Sequence, residues 1–182
     1  MSEITQVRLS GFGGQGVVLA GTLLGEAGVL DGRYVAGSNS YGAQARGSGC
    51  RSEIVFSNGP IDFPHLITAD ILVAMSQGAY NMHCGDVRET TGLILYDEGQ
   101  VIPQEGLKVR QIGIPATERS VKELKSRQVA NIVLLGALVE ATKIVSREAV
   151  ERALQTHVSE RFRSLNIEAL KLGLELGRQV HG

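Results

Sequence analysis

The stretch Gly11-Phe12-Gly13-Gly14-Gln15-Gly16 decides how this sequence is interpreted. It follows an apolar strand pattern at residues 4–10 and opens a helical pattern at residues 14–30. A glycine loop between a strand and a helix leaves backbone N–H groups and the helix N-terminus free to hold an anion. The same glycines are also compatible with a tight turn and close helix–sheet packing without any ligand.

The spacing of the glycines also fits the dinucleotide fingerprint G-x-G-x-x-G. A dinucleotide site further needs a carboxylate at the end of the second strand, where it binds the ribose hydroxyls. That strand is predicted at residues 33–36, and Gly37-Ser38-Asn39-Ser40 follows without a carboxylate. The sequence therefore disfavours nicotinamide binding, and a stand-alone dinucleotide-binding oxidoreductase is kept only as an alternative.

Length and composition predict one globular domain spanning residues 1–182. The chain has 182 residues, of which 43% are hydrophobic and 20% charged, enough for a well-buried core. A formal net charge of -1 gives no basic field for nucleic acid. No apolar run reaches membrane length, and Ser2-Glu3 is acidic where a signal peptide would be basic, so we expect a cytoplasmic protein.

The chain offers no obvious metal ligands and no nucleophile–base pair. Cys50 and Cys84 lie far apart, without a C-x-x-C partner, and are expected to be reduced packing residues. The histidines show no i, i+4 spacing; they are His65, His83, His157 and His181. We therefore predict no metal site, no catalytic residue and no cofactor bound by this chain alone.

Strand and helix patterns alternate up to about residue 115, which is typical of an α/β fold. Short apolar runs such as residues 70–74 indicate buried parallel strands, whereas residues 51–57 predict an antiparallel or edge strand. The predicted strands are 4–10, 33–36, 51–56, 71–75, 93–96 and 108–113, and the predicted helices here are 14–30 and 77–88. The expected fold is Rossmann-like, with a mainly parallel sheet and flanking helices.

The C-terminal third is predicted to be helical, at residues 118–125, 129–142, 147–157 and 165–178. Ser146 is expected to cap the third of these helices, and Ser164 or Asn166 the fourth. Residues 129–139 are almost wholly apolar, so this helix must be buried under the other helices or in a subunit interface. Asn131 needs hydrogen-bond partners in that setting.

A second glycine segment, residues 38–49, follows the second predicted strand. It is predicted to be a long loop that leaves the same sheet edge as the first glycine loop, where ligands of open α/β sheets gather. Arg46 lies among small residues and is free to reach an anion or an acidic partner. A solvated arginine on a mobile surface loop is the alternative.

These segments carry a resemblance to a known family. Gly11-x-Gly13-Gly14-Gln15-Gly16-Val17 followed by Ser40-Tyr41-Gly42-x-x-Ala45-Arg46-Gly47 resembles the gamma subunit of 2-oxoacid:ferredoxin oxidoreductases. The resemblance continues through residues 70–74, Asn131-x-Val133-x-Leu135-Gly136-Ala137 and Asn166-x-x-Ala169-x-x-x-Gly173. It therefore covers nearly the whole chain, and its Ser-Tyr-Gly form is more similar to the 2-oxoglutarate type than to the indolepyruvate type.

The resemblance implies a function that composition and spacing do not. Such enzymes oxidatively decarboxylate a 2-oxoacid to the acyl-coenzyme A and pass electrons to ferredoxin. The complex contains thiamine diphosphate, magnesium, iron–sulfur clusters and coenzyme A, with alpha, beta and delta-type chains as partners of the gamma chain. The isolated chain is accordingly expected to be inactive and, with partner surfaces exposed, to self-associate.

The resemblance also implies which residues form the coenzyme A side of the active site. In the first loop these are Gly13, Gly14, Gln15 and Gly16, and in the second Ser40, Tyr41, Gly42, Arg46 and Gly47. The family pattern Ser-Tyr-Gly-Pro-Glu-x-Arg-Gly-Gly is altered here, because Ala43, Gln44 and Ser48 replace proline, glutamate and the last glycine. A scaffolding module whose glycine loops only dock partners is the remaining alternative.

Overall fold

The molecule is a six-stranded sheet with helices on both faces. The computed structural model describes residues 4–41 and 49–180. The strands are β1 (Ile4–Phe12), β2 (Tyr34–Tyr41), β3 (Gly49–Ser57), β4 (Ile71–Ala74), β5 (Leu93–Asp97) and β6 (Arg110–Ile114). The helices are α1 (Val17–Leu30), α2 (Gln77–His83), α3 (Ala116–Leu124), α4 (Ala130–Thr142), α5 (Arg147–His157) and α6 (Glu160–Gln179), with short 3-10 turns at Cys84–Asp86 and Arg127–Val129.

The strand order is β2-β3-β1-β4-β5-β6. Strands β1, β4, β5 and β6 are parallel, whereas β3 runs antiparallel to both of its neighbours, β1 and β2. The predicted α/β class is confirmed, and the sheet is mixed. Strand β3 is antiparallel, as its alternating pattern allowed, but it is an interior strand because β2 forms the edge.

Alternation along β1 separates the two faces of the sheet. Val7 and Leu9 are fully buried in the larger core, which α1, α4, α5 and α6 complete. Arg8 and Ser10 point to the opposite face, which carries α2. A smaller core lies on that face and includes Leu72 and Tyr80. Both faces of the parallel strands are therefore covered, as their continuous apolar runs predicted.

Helix α4 lies beneath α6, and glycines bring the two helices unusually close. A Cβ on Gly136 would lie 2.5 Å from the carbonyl oxygen of Leu170, and one on Gly173 would overlap the backbone of Val133. Residues 131–140 are buried throughout. The apolar helix predicted at 129–142 is thus confirmed and is buried under another helix of its own chain.

Several element boundaries differ from the predictions: α1 begins at Val17 and not at residue 14, α2 ends at His83 and not at residue 88, and β6 spans Arg110–Ile114 and not residues 108–113. Strand β2 continues to Tyr41 instead of ending at residue 36, because residues 37–41 pair with β3. Helix α6 begins at Glu160, so neither Ser164 nor Asn166 caps it, and Asn166 donates to the carbonyl of Phe162 instead. The Ser146 cap of α5 is confirmed, since its hydroxyl accepts from the N–H of Ala149 at 3.2 Å.

The buried carboxylate of Glu140 joins the ends of three helices through ion pairs with exposed cations. Its carboxylate contacts Lys143 at 2.6 Å and Arg178 at 3.7 Å, and it also accepts a hydrogen bond from Arg147. Burial alone raises the pKa of Glu140, but hydrogen bonds from Lys143 and Arg147 outweigh it and hold the pKa below its usual value. The carboxylate therefore stays ionised and connects α4 to α5 and α6.

The close contact of α4 and α6 at their glycines predicts that two alanine substitutions change the free energy of unfolding in opposite directions. Gly173→Ala should lower the free energy of unfolding by about 2–3 kcal/mol, because its methyl group overlaps α4. Gly25→Ala is the matched control on α1: its Cβ would meet only Val35 at 3.7 Å, and better helix propensity should add about 0.5–1 kcal/mol. Urea unfolding measures both, and equal effects would contradict this packing.

The Glu140 contacts predict a stability difference that depends on pH. Glu140→Gln should lower the free energy of unfolding by roughly 1.5–3 kcal/mol near neutral pH. Because the folded pKa is depressed, the carboxylate contributes fully above the unfolded pKa of about 4.3 and loses that contribution as pH falls through the folded pKa. Urea unfolding should show the gap closing toward acid pH; a gap independent of pH contradicts it.

Candidate functional site

The first glycine loop turns the chain from β1 into α1 with two residues in the left-handed region. Gly14 has φ 98° and Gly16 has φ 75°, conformations that side chains rarely adopt. The N–H groups of Gly14, Gly16 and Val17 donate to no acceptor in residues 4–41 and 49–180. The loop therefore presents free backbone donors at the N-terminus of a 14-residue helix.

Gln15 holds the loop to the sheet through both ends of its side-chain amide. Its Oε1 accepts from the N–H of Phe12 at 2.7 Å, and its Nε2 donates to the carbonyl of Met75 at 2.8 Å. These two partners lie at the carboxyl ends of β1 and β4, between which the strand order reverses. The amide thus spans the crevice in which open α/β sheets usually bind their ligands.

Asn131 fixes the other end of the loop from the first turn of α4. Its Nδ2 donates to the carbonyl of Gly16 at 3.0 Å, and its side chain is 4% exposed. A Cβ on Gly16 would overlap this amide, so the glycine is required both by its φ angle and by the contact. The partner that the sequence demanded for buried Asn131 is therefore the glycine loop.

The order of the strands in the sheet is incompatible with the geometry of a dinucleotide site. In that fold the second strand lies beside the first and carries its acidic residue next to the glycine loop. Here β3 lies between β1 and β2, and β2 ends at Ser40-Tyr41 without a carboxylate. Gln15 also fills the crevice beside β1. Both observations disfavour the dinucleotide alternative more strongly than the sequence did.

The second candidate segment, residues 38–49, reaches the same end of the sheet as the first glycine loop, as predicted. Tyr41 pairs with Cys50, which in turn pairs with Gly11, so β2 ends two strand spacings, or about 10 Å, from the glycine loop. Tyr41 is 66% exposed. Ser40 and Tyr41 line a cleft of about 260 Å³ with Arg51 and His83. The other predicted residues, Gly42, Arg46 and Gly47, lie outside the described residues.

A buried charge network lies behind this second cleft. Arg8 is 7% exposed and donates to Glu53 at 2.9 Å and to Asp86 at 3.1 Å. It also contacts Nδ1 of His83 at 3.3 Å. Burial, and then the Arg8 charge, lowers the pKa of His83, which keeps the imidazole neutral near neutral pH. The network joins β1 and β3 to the end of α2 and stiffens this wall of the cleft.

A third group of polar residues, which the sequence did not single out, adjoins the glycine loop. A cleft of about 180 Å³ contains Gly14 and Asn131 on one side and Asp97, Thr117 and Arg127 on the other. Asp97 ends β5 and accepts from the N–H of Thr117 at 3.2 Å, which caps α3. The sequence signal that could have identified Asp97 is its position at the end of a strand, because the carboxyl ends of parallel strands lie together at one end of the sheet.

The remaining chemistry-bearing residues lack the features of a reactive site. Burial raises the pKa of the Cys50 thiol, which makes a thiolate nucleophile unfavourable there. Cys50 and Cys84 are both buried free thiols. Within the described chain, no three His, Cys, Asp or Glu side chains are grouped to hold a metal ion. Across the same residues, no helix combines the length and apolar character needed to span a bilayer.

Comparison with known proteins gives matches over nearly the whole chain. A family model described as pyruvate ferredoxin/flavodoxin oxidoreductase matches residues 6–176. The 2-oxoglutarate synthase subunit KorC of Methanocaldococcus jannaschii is 42% identical over 178 residues, covering 96% of this chain and 95% of that protein.

Solved structures agree with the sequence relatives. The keto/oxoacid ferredoxin oxidoreductase gamma subunit from Geobacter sulfurreducens superposes with a TM-score of 0.87 at 33% identity, covering 97% of this chain and 98% of that chain. A 2-oxoglutarate:ferredoxin oxidoreductase from Magnetococcus marinus, with 2-oxoglutarate, coenzyme A and succinyl-CoA bound, contains the same fold with a TM-score of 0.87. At 23% identity the match covers 98% of this chain and 32% of that one.

The Gln15 contacts predict a structural role that can be measured directly. Gln15→Leu leaves the Phe12 N–H and the Met75 carbonyl without partners and should lower the free energy of unfolding by about 1–3 kcal/mol. Gln15→Glu should not restore stability, because it turns an oxygen toward the Met75 carbonyl. Exposed Gln128 lines the same cleft, and Gln128→Leu should change stability by less than about 0.5 kcal/mol. Equal effects at both positions in urea unfolding would refute the bridge.

Proposed function

Because this chain belongs to the pyruvate ferredoxin/flavodoxin oxidoreductase family, as the gamma subunit of a 2-oxoacid:ferredoxin oxidoreductase, we propose that its glycine loop helps bind coenzyme A in the assembled complex. The proposed contacts are made by Gly13, Gly14, Gln15 and Gly16, and by Ser40, Tyr41, Gly42, Arg46 and Gly47. The observation that carries the proposal is the set of free N–H groups at Gly14, Gly16 and Val17.

Coenzyme A fits the chemistry of this loop. Its phosphates are anions, and unpaired N–H groups at a helix N-terminus are favourable partners for phosphate. Gly14 has open space where a Cβ would lie, so a ligand is able to approach its backbone closely. Gln15 acts indirectly: its side-chain amide holds the loop through two hydrogen bonds, and its backbone N–H donates to the carbonyl of Phe12 at 3.1 Å, so residue 15 supports the ligand by fixing the loop.

The reaction itself is assigned to the assembled complex. Thiamine diphosphate with magnesium supplies carbanion stabilisation when bound, and iron–sulfur clusters carry the electrons. The described residues of this chain contain no group of three potential metal ligands, and burial raises the pKa of the Cys50 thiol. We therefore assign those cofactors to alpha, beta and delta-type partner chains, with ferredoxin as the acceptor, and expect residues 1–182 to act as one cytoplasmic gamma-type domain.

We propose 2-oxoglutarate as the 2-oxoacid. Support comes from the KorC relative, a 2-oxoglutarate synthase subunit that shares 42% identity with this chain, and from Ser40-Tyr41-Gly42, which is similar to the 2-oxoglutarate type. Because the loop departs from the family pattern at Ala43, Gln44 and Ser48, the similarity to KorC supports this substrate more strongly than the loop segment does.

An affinity purification of the tagged chain from its own host under anoxic conditions tests the proposed substrate and partners together. Mass spectrometry should identify thiamine-binding and cluster-carrying chains in the eluate. Coenzyme A-dependent viologen reduction should be fastest with 2-oxoglutarate among 2-oxoglutarate, pyruvate and indolepyruvate, and the isolated chain should show none. Preference for another 2-oxoacid would reject the substrate, and a scaffold role would be favoured if loop variants affected assembly but not coenzyme A affinity.

The loop proposal predicts a selective effect at Gly14. Gly14→Ala places a side chain at φ 98°, a strain of about 1–2 kcal/mol, and should raise the KM for coenzyme A about tenfold in the assembled complex. Gly32→Ala is the matched control, with φ 78° and open space, in the turn between α1 and β2 at the opposite edge of the sheet. It should cost similar stability and leave the KM unchanged. An unchanged KM in Gly14→Ala would exclude this loop from the coenzyme A site.

A further inference from the structure

A groove on the helical face of the sheet begins at the glycine loop, where Gly14 and Gly16 line it, and extends beyond the residues of the proposed coenzyme A site. It has a volume of about 340 Å³ and runs between the start of α1, the start of α4 and the turn that joins α5 to α6. Its lining includes Leu19, Asn131, Val158, Phe162 and Asn166. Asn131 and Asn166 begin two of the sequence motifs that carry the family resemblance.

Both asparagines are buried, and both leave their side-chain oxygen unused. Asn131 is 4% exposed and donates from Nδ2 to Gly16, while Asn166 is 8% exposed and donates from Nδ2 to Phe162 at 2.8 Å. Each partner is a backbone carbonyl, which only accepts, so the amide nitrogen must face it and the orientation of both amides is fixed. Neither Oδ1 accepts a hydrogen bond from any residue the structure describes.

These two oxygens define the chemistry of an occupant. Neither oxygen is among the fully enclosed polar atoms that lack a partner, so both are open to solvent, and an occupant that displaces this solvent should bring N–H or O–H groups to both positions. The rest of the wall is mixed: Leu19, Val158 and Leu165 contribute apolar surface, and polar side chains lie between them, namely Ser126, Gln128, His157 and Ser159. An uncharged chain with regularly spaced N–H donors and apolar substituents matches this combination, and an extended polypeptide is such a chain.

The form of the groove favours a polypeptide over a small molecule. Small ligands bind in enclosed pockets that cover most of their surface, whereas this groove is open to solvent. Phe162 stands at its rim and is 48% exposed, an exposure typical of an aromatic side chain that packs on a protein partner. A gamma subunit works within a multi-subunit enzyme, so partner segments are available to it.

We propose that this groove binds an extended segment of another subunit of the complex, whose backbone N–H groups donate to Oδ1 of Asn131 and Asn166. The inference rests on membership of the multi-subunit family, and it is tested by subunit recovery, whereas the coenzyme A proposal is tested by the KM for coenzyme A. The Asn131 side chain donates to the carbonyl of Gly16 and would accept from the docked segment. Subunit docking and the conformation of the glycine loop would therefore depend on the same side-chain amide.

Hydrogen–deuterium exchange of the isolated chain and of the purified complex tests the inference. Assembly should protect amides within residues 126–131 and 157–166, and a photo-crosslinking benzoylphenylalanine at position 162 should link to one defined segment of another subunit. Phe162→Glu should reduce the recovery of that subunit at least tenfold. Val121→Glu is the matched control, because Val121 is 46% exposed on α3 outside the groove, and it should assemble normally.

Two results would overturn the inference. One is a groove whose amides exchange equally fast in the complex and in the isolated chain. The other is protection produced by adding coenzyme A alone to the isolated chain, which would make the groove a small-molecule site. Because Gly14 also lines one end of the groove, the two proposals are separated by their readouts: the KM for coenzyme A in the Gly14→Ala complex tests the loop, whereas the crosslink at position 162 and subunit recovery with Phe162→Glu test the groove.

Discussion

The close crossing of α4 and α6 is the contact on which the rest of the structure depends. Gly136 and Gly173 let the two backbones approach so closely that a methyl group on either would overlap the other helix. This contact positions α4 so that Asn131, in its first turn, reaches the glycine loop. Asn131 then holds Gly16, and Gln15 holds the same loop to the ends of β1 and β4. A packing constraint in the C-terminal third thereby determines a loop more than a hundred residues earlier in the chain.

At the carboxyl ends of the parallel strands the chain presents the backbone N–H groups of Gly14, Gly16 and Val17, in a conformation that glycines permit and the Gln15 and Asn131 amides hold. The polar side chains of Asp97, Thr117 and Arg127 line the cleft beside them. Backbone donors suit an anion that must be held and oriented while the chemistry takes place on a partner chain. The neutral His83 and the buried Arg8 network stiffen the neighbouring cleft in the same way.

The sequence predicted the parts of this fold that depend on local pattern. It failed where strand pairing or other tertiary contacts determine the structure. Alternation and apolar runs located all six strands and the buried α4, and the Ser146 cap followed from local chemistry. The full length of β2 was missed because Gly37-Ser38-Asn39-Ser40 has loop composition, yet these residues pair with β3. The start of α6 was placed too late for a similar reason, since apolar periodicity is weak before Leu165.

Gln15 was predicted to face a ligand, but no local pattern shows that its amide spans two strand ends. Asp97 was overlooked because its role as the cap of α3 depends on tertiary structure.

The central claim is that free backbone N–H groups of the glycine loop hold coenzyme A. A structure of the assembled complex with coenzyme A bound tests it most directly. The account predicts a phosphate oxygen within hydrogen-bonding distance, about 2.7–3.2 Å, of at least two of the N–H groups of Gly14, Gly16 and Val17, with the Gln15 and Asn131 contacts unchanged. Phosphates bound elsewhere, with these N–H groups facing only water or another subunit, would contradict it.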